Sequence, residues 1–315
     1  MRSELKLYKD IVLAESLAVL CLWVIALIIT IVFKGYYNQD LGVSVFVIEN
    51  LQGVGFAEAL ETNSIIFYLL KILGDSFIFH QDYLLLLFCF YICTQIFIIV
   101  SLVIYSKPYN ALVIILIVFF TIILNQMRFG IAISLMLSLI DRDAFHNRNR
   151  LYIDVAICFI ILLFHIFVGM FYILYLITRK YNSLIYFLAV LMLIGYSSLR
   201  YLLADSRYLF YLDEDAARGS FSFILFLAIY FVSFLSLDKF HRIFFLFLLL
   251  VSGATYSLPS ISSRLSELSI VFLIVNLAKF NVPITTKVLL LFFATSFFLY
   301  RAYNWFVLGL VPLAP

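Results

Sequence analysis

Charge is what this chain has least of. Asp, Glu, Lys and Arg together make up 12% of its 315 residues, about half the share of a soluble globular domain. Hydrophobic residues supply 65%. One protein core cannot hold that excess, so lipid has to solvate most of it. The formal net charge of +3 gives no reason to expect a nucleic-acid partner. Cysteine is also scarce. Cys21, Cys89, Cys93 and Cys158 all sit in apolar runs, and no His or carboxylate accompanies Cys89 and Cys93 at ligand spacing. Packing is therefore expected of them rather than metal or redox chemistry. There is no P-loop and no G-x-S-x-G. Those absences exclude nucleotide-driven and serine-hydrolase chemistry, and no metal or cofactor is expected. No low-complexity tract or separately folding soluble domain interrupts the chain.

What is present is aromatic and apolar. Thirty-five Phe and 21 Tyr suit lipid-facing helices with interfacial belts. The segment MRSELKLYKD precedes an apolar stretch without a small-residue cleavage site, so the first helix is expected to be retained. Apolar runs place candidate spans at 17–33, 83–105, 110–124, 127–140, 151–164, 166–178, 183–199, 221–237, 243–257, 265–280 and 288–310. The expected fold is an all-α polytopic membrane protein of about 11–12 transmembrane helices, forming a single domain over 1–315. Several runs hold only about 15 residues, short of the roughly 20 a straight crossing needs. They read as broken helices or as spans beside a water-filled cavity.

Segment 63–80 is interrupted by Lys71 and Asp75, and charge asymmetry decides its role. If it does not cross, the N-terminus with Arg2, Lys6 and Lys9 faces the cytoplasm. Lys107, the loop with Arg142, Arg148 and Arg150, and the pairs Arg179–Lys180, Lys239–Arg242 and Lys279–Lys287 then lie on the same side. That collects 13 of the 21 basic residues, as the positive-inside rule requires. If it crosses, the basic loop 141–150 flips outward. Segment 63–80 is therefore expected to be an interfacial or re-entrant helix. The outer, periplasmic side receives loops 34–62 and 200–220. The first is acidic and carries a possible interfacial helix near 44–60.

This orientation brings Arg128 (NQMRFGIAISL), His165 (LLFHIF) and Arg264 (SSRLSEL) to the outer ends of short helices. Ionisable groups at membrane depth are costly and usually face a cavity or a partner, so a shared polar cavity is expected. Other readings stand beside this one. Arg128 can snorkel to the interface, His165 can be a packing histidine, and Arg264 can pair with Glu267 one turn on. The arginines of loop 200–220 (Arg200, Arg207, Arg218) can be ion-paired loop charges, and Arg301 can snorkel. Chemically, fixed guanidinium groups suit a diphosphate, and a neutral imidazole can act as a general base toward a hydroxyl.

At these residues the sequence resembles the Wzy/EpsG-type polysaccharide polymerases of bacterial envelopes. NQMRFGIAISL is similar to that family's (I/M)RQxLAxA segment, with Arg128 at its arginine. Phe129 stands where glutamine is frequent, leaving Gln126 as the substitute. AICFIILLFH supplies His165 where the family has A-x-x-x-H, with looser spacing. DLGVSVF and ETNSIIFYLL offer Asp40 and Glu61, although Ser44 stands where Tyr is common. SRLSEL offers Arg264.

The resemblance spans about residues 35–280. It implies a GT-C-like, metal-independent glycosyltransferase of the bacterial inner membrane. Such an enzyme polymerises undecaprenyl-diphosphate-linked repeat units into O-antigen or capsular polysaccharide at the periplasmic face. Its expected partners are the lipid-linked glycan, the bilayer, a chain-length regulator and a flippase. Arg128 and Arg264 would hold the diphosphate. His165, Glu61 or Asp40 would deprotonate the acceptor. Gln126, Arg200, Arg207, Arg218 and Glu267 would line the substrate site. The competing readings are a transporter or flippase of lipid-linked sugars, for which repeat symmetry between halves is missing, and a polysaccharide ligase, which usually has a larger outer loop.

Overall fold

The computed structural model describes residues 2–32, 48, 55, 65–75, 83–123, 127–141, 151–180, 216–255 and 259–306. Every regular element among them is helical. In order they are α1 (Arg2–Val32), α2 (Ile65–Gly74), α3 (Tyr83–Tyr105), α4 (Pro108–Val118) continued by a π-helical turn (Phe119–Ile123), α5 (Met127–Asp141) and α6 (Leu151–Phe164). Then follow α7 (Ile166–Lys180), α8 (Ala216–Ser233) with a 3₁₀ turn (Phe234–Ser236), α9 (Lys239–Ala254), α10 (Pro259–Leu277) and α11 (Ile284–Phe306). Among the described residues, three helices are long and apolar enough to cross a membrane, over Val12–Ile29, Leu85–Tyr105 and Ile284–Asn304. Shorter apolar helices occupy Pro108–Val118, Arg128–Ile140, Tyr152–Phe164, Val168–Arg179 and Phe221–Ser236.

Surface chemistry agrees with a membrane setting. On α1, Leu13, Leu17, Leu20, Val24 and Ile28 recur at helical spacing and are exposed, whereas Val19 and Ala26 are buried. On α3, Leu85, Ile96, Phe97, Val100 and Ile104 are exposed, while Tyr91, Gln95, Ile98 and Leu102 face inward. A contiguous apolar surface of that extent is unstable in water and ordinary in lipid. The cysteines follow the same logic. Cys21, Cys89 and Cys93 are exposed, on the outward faces of α1 and α3, and Cys158 is half-buried.

Caps, rather than hydropathy, set where the helices begin. α1 starts at Arg2 instead of near 17, and its apolar span occupies its later part. α4 opens on Pro108, whose ring pre-sets the first helical φ. The preceding Lys107 takes the unusual φ of 51° and turns the chain sharply after α3. α9 opens at Lys239 because the Asp238 carboxylate accepts the His241 backbone N–H at 2.8 Å, an N-cap. α10 and α11 start at Pro259 and just after Pro283, several residues ahead of the apolar runs. The expected helix at 63–80 is present as ten residues, Ile65–Gly74. That is about 15 Å of helix, half the hydrocarbon thickness. The expected span 183–199 and, apart from Ile48 and Gly55, the expected helix near 44–60 lie outside the described residues.

The chain divides into two compact units, 1–170 with 298–315, and 171–297. In the first, α5 packs on α3 and α6, α4 packs on α1 and α3, and α2 packs on α3 and α6. Small residues let these helices approach. A Cβ on Gly130 would meet Ile98 Cδ1 at 2.3 Å and Ile122 Cγ2 at 3.0 Å. Ser134, one turn on, returns its hydroxyl to the Gly130 carbonyl at 2.9 Å, the small-residue packing usual between membrane helices. Ile48, Phe67, Leu70, Leu86 and Leu87 form a second cluster under α2.

In the second unit α10 packs on α8 and α9. Tyr175, Phe244, Phe245 and Phe272 close its centre edge to face, with Tyr175 and Phe272 centroids 4.6 Å apart. Such pairs add about 0.5–1.5 kcal/mol each beyond burial.

Candidate active site

The candidate site in the first unit is built around a π-helical turn. α4 loosens into it at Phe119–Ile123, and α5 runs from Met127. π turns are rare and recur at functional sites. A backbone carbonyl that loses its helical partner inside a membrane must find another donor. The Ile123 carbonyl finds two: Tyr91 Oη donates at 2.9 Å and Gln95 Nε2 at 3.2 Å. Both donors come from one face of α3 and are about 1% exposed.

Arg128 lies in the first turn of α5, a few residues after the π turn, and is half-buried. Its guanidinium sits over the Phe67 ring of α2, 4.8 Å from the centroid. A cation held on an aromatic face keeps its N–H edge for a ligand, and the contact fixes the arginine's position. The next residue, Phe129, is 1% exposed and packs on the His165 ring at 4.9 Å. The unit therefore brings Arg128 and His165 to the same end of the α5–α6 pair, with Phe129 between them. Phe129, where the sequence comparison expected glutamine, serves here as packing for the imidazole.

His165 is the junction between α6 and α7. Its N–H donates to Ile161 O at 2.8 Å, and its carbonyl accepts from Val168 and Gly169 at 3.0 and 3.2 Å. The bend there is tight. A Cβ on Gly169 would meet Leu162 Cδ2 at 2.4 Å, Cγ at 2.7 Å and the Leu162 Cα at 3.2 Å. Glycine is needed at 169 because backbone, and not only a movable side chain, occupies the space. This bend presents the imidazole at the end of the α5–α6 pair instead of along a continuous helix.

Arg264 and Glu267 belong to the second unit. Arg264 is half-buried and Glu267 is 2% exposed. Glu267 Oε1 accepts the hydroxyls of Ser222 at 3.3 Å and Ser263 at 3.4 Å, and these hydroxyls also meet at 3.1 Å. A further serine group, Ser252, Ser262 and Ser266, ties α9 to α10. Asp40, Glu61, Gln126, Arg200 and Arg207 lie outside the described residues. So does the side chain of Arg218, whose backbone falls in α8.

Tyr91, Gln95, Phe67, Ser222 and Ser263 were not among the residues singled out from the sequence. Tyr91 and Gln95 had left a signal, since two polar groups one turn apart inside an apolar span are uncommon. Among the described residues no cluster of three or more His, Cys, Asp or Glu is placed to hold a metal ion. The chain matches no protein-family model, no curated protein and no solved structure.

Proposed function

We propose that this protein is a membrane-embedded, metal-independent glycosyltransferase that polymerises undecaprenyl-diphosphate-linked glycan repeat units, with a GT-C-like arrangement of about 11–12 crossings and its site on the periplasmic face. The observation carrying this reading is the placement of Arg128 and His165 at one end of the α5–α6 pair, on either side of Phe129. A guanidinium held on Phe67 and an imidazole packed on Phe129 supply an anion clamp and a proton acceptor within one unit. The chemistry needed is limited. An acceptor hydroxyl attacks the anomeric carbon of the donor glycan and gives its proton to a base such as His165. The bond from that carbon to the diphosphate oxygen breaks, and lipid diphosphate departs. Arg128 stabilises the charge that develops on the leaving oxygen, where preorganised donors contribute most. A fixed guanidinium can fill this role without a metal ion, because it grips two phosphate oxygens at once. Arg264 lies in the other unit, and the reading rests on Arg128 and His165.

The test is Arg128→Ala in cells that assemble the native polysaccharide. Long-chain polymer is expected to disappear while single lipid-linked repeat units accumulate unchanged. Normal ladders from a stably inserted variant would sink the reading. Lipid-linked units retained on the cytoplasmic face would instead support the flippase reading.

A further inference from the structure

The far end of the second unit carries polar atoms that the proposed chemistry does not use. His241 is in the first turn of α9, and its Nδ1 lies 2.8 Å from Asp238 Oδ1. Burial raises the Asp238 carboxyl, but the His241 backbone N–H and imidazole, helped by the His241 and Arg179 charges, outweigh it and hold the group below its usual range. An ionised carboxylate only accepts, so Nδ1 carries the hydrogen and Nε2 of the neutral ring is an acceptor. Nε2 is buried with no hydrogen-bond partner, and the residue is 8% exposed.

On α10, Asn276 is 0% exposed. Its Nδ2 donates to Phe272 O at 2.8 Å, leaving Oδ1 buried and unpartnered as well. Helix register sets these two residues against each other. α9 and α10 run antiparallel, with Ser252 meeting Ser262 and Ser266, and Phe245 packing on Phe272 at 5.8 Å. One turn further in each direction come His241 and Asn276, and the His241 ring already touches Phe280, one turn past Asn276. Ser233 Oγ, also buried without a partner, sits at the same level on α8.

Both acceptors are buried and unsatisfied on facing turns of α9 and α10, and one proton on Nε2 would give each of them a partner. We infer that His241 and Asn276 form a buried proton-binding site in which Nε2–H of the imidazolium donates to Asn276 Oδ1 and joins α9 to α10. The neutral protein lacks that bond, so proton uptake tightens this end of the unit. The surroundings bear on uptake from every packed element among the described residues. Burial opposes the charged ring most and holds the His241 pKa below its ordinary value; Asp238 favours the charge, and Arg179 from α7 and Lys279 beyond α10 add to the opposition. Tyr175 and Phe240, Phe245 and Phe280 wall it off from water. Lys239 is exposed beside it, and Arg242 is turned away onto Leu237 O, Leu235 O and the Phe234 ring, with Tyr230 on its carbonyl.

The chain has four histidines, which makes a direct test practical. Full-length protein labelled with ¹⁵N-histidine in lipid nanodiscs is titrated, and the His241 signal is assigned by its loss in His241→Gln. The His241 midpoint is expected to fall in Asn276→Leu by about one pH unit, the size of one hydrogen bond to a charged group. It is expected to rise in Asn276→Asp. Equal midpoints in wild type and a folded Asn276→Leu would overturn the site, as would a ring that stays neutral in all forms down to about pH 4. If Asn276→Leu does not fold, Asn276→Asp decides alone: an unchanged midpoint there also overturns it.

Discussion

The two units handle buried polarity in different ways. In the first, a helix loosens into a π turn and the polar group in play comes from the backbone: Tyr91 and Gln95 reach across from α3 to satisfy the Ile123 carbonyl. In the second, α8, α9 and α10 have regular hydrogen bonding, and side chains satisfy side chains. The Glu267–Ser222–Ser263 and Ser252–Ser262–Ser266 groups do this. The first arrangement ties a π turn to a neighbouring helix, with Arg128 in the turn of helix that follows. The second makes a polar seam that holds helices together where lipid gives no hydrophobic drive for association.

Glu267 is where that contrast is easiest to break. If it is seam, Glu267→Ala removes the acceptor shared by Ser222 and Ser263 and destabilises the protein by about 1–3 kcal/mol. Glu267→Gln keeps an oxygen acceptor and should be near neutral. Thermal unfolding in detergent, run beside polymer ladders in cells, separates the roles. A Glu267→Gln variant that melts normally yet makes no polymer would move the carboxylate from scaffold to site, and the contrast between units would fail.

Much of the helical layout was legible because lipid-facing runs need no alternation to be recognised. The apolar run 83–105 matches Tyr83–Tyr105, and 151–164 matches Leu151–Phe164. Boundaries were less legible where a cap decides them. α9 starts at Lys239 because of Asp238, and α10 starts at Pro259, six residues ahead of its apolar run. Arg128 and His165 were readable as charges out of place in apolar surroundings. Their connection through Phe129 was not, because a phenylalanine in such a chain is indistinguishable from any other. The π turn carried no local signal either, since FFTII reads as plain helix. SSRLSELS drew notice for its arginine and glutamate, although its serines do most of the joining of α10 to α8 and α9.

A smaller effect is expected at the π turn itself. Tyr91→Phe removes one of the two donors on Ile123 O and should cost about 0.5–1.5 kcal/mol, because Gln95 remains. Tyr91→Phe with Gln95→Leu leaves the carbonyl to find another donor and should cost more than the two single changes combined. If these residues also set the entry of α5, the double variant lowers polymer yield at constant protein level while substrate units accumulate. A double variant that is less stable yet fully active would confine Tyr91 and Gln95 to scaffolding, and the two units would then differ less than their backbones suggest.

The smallest effect concerns α2, the short helix that carries Phe67 beneath Arg128. At its end Asp75 accepts from Lys71 at 2.6 Å and from the Tyr83 hydroxyl at the start of α3. The hydrogen bond from Lys71, then that from Tyr83, hold the carboxyl below its usual value of 3.8 against a small opposing effect of burial. A folded-state value below the unfolded one means that the ionised form stabilises. That contribution is fully present above the ordinary carboxylate range and is lost only as pH falls through the folded value, below 3.8. Hydrogen exchange at the end of α2 should therefore be flat in its opening equilibrium from neutral pH down to about 5, and should loosen only below about 4. Lys71→Ala removes the larger of the two contacts and should move that loosening to higher pH. Both groups are partly exposed, so the effect should shrink as salt is added. A profile that shifts with Tyr83→Phe but not with Lys71→Ala would show that the tie to α3, and not the pair within α2, holds the helix under Arg128.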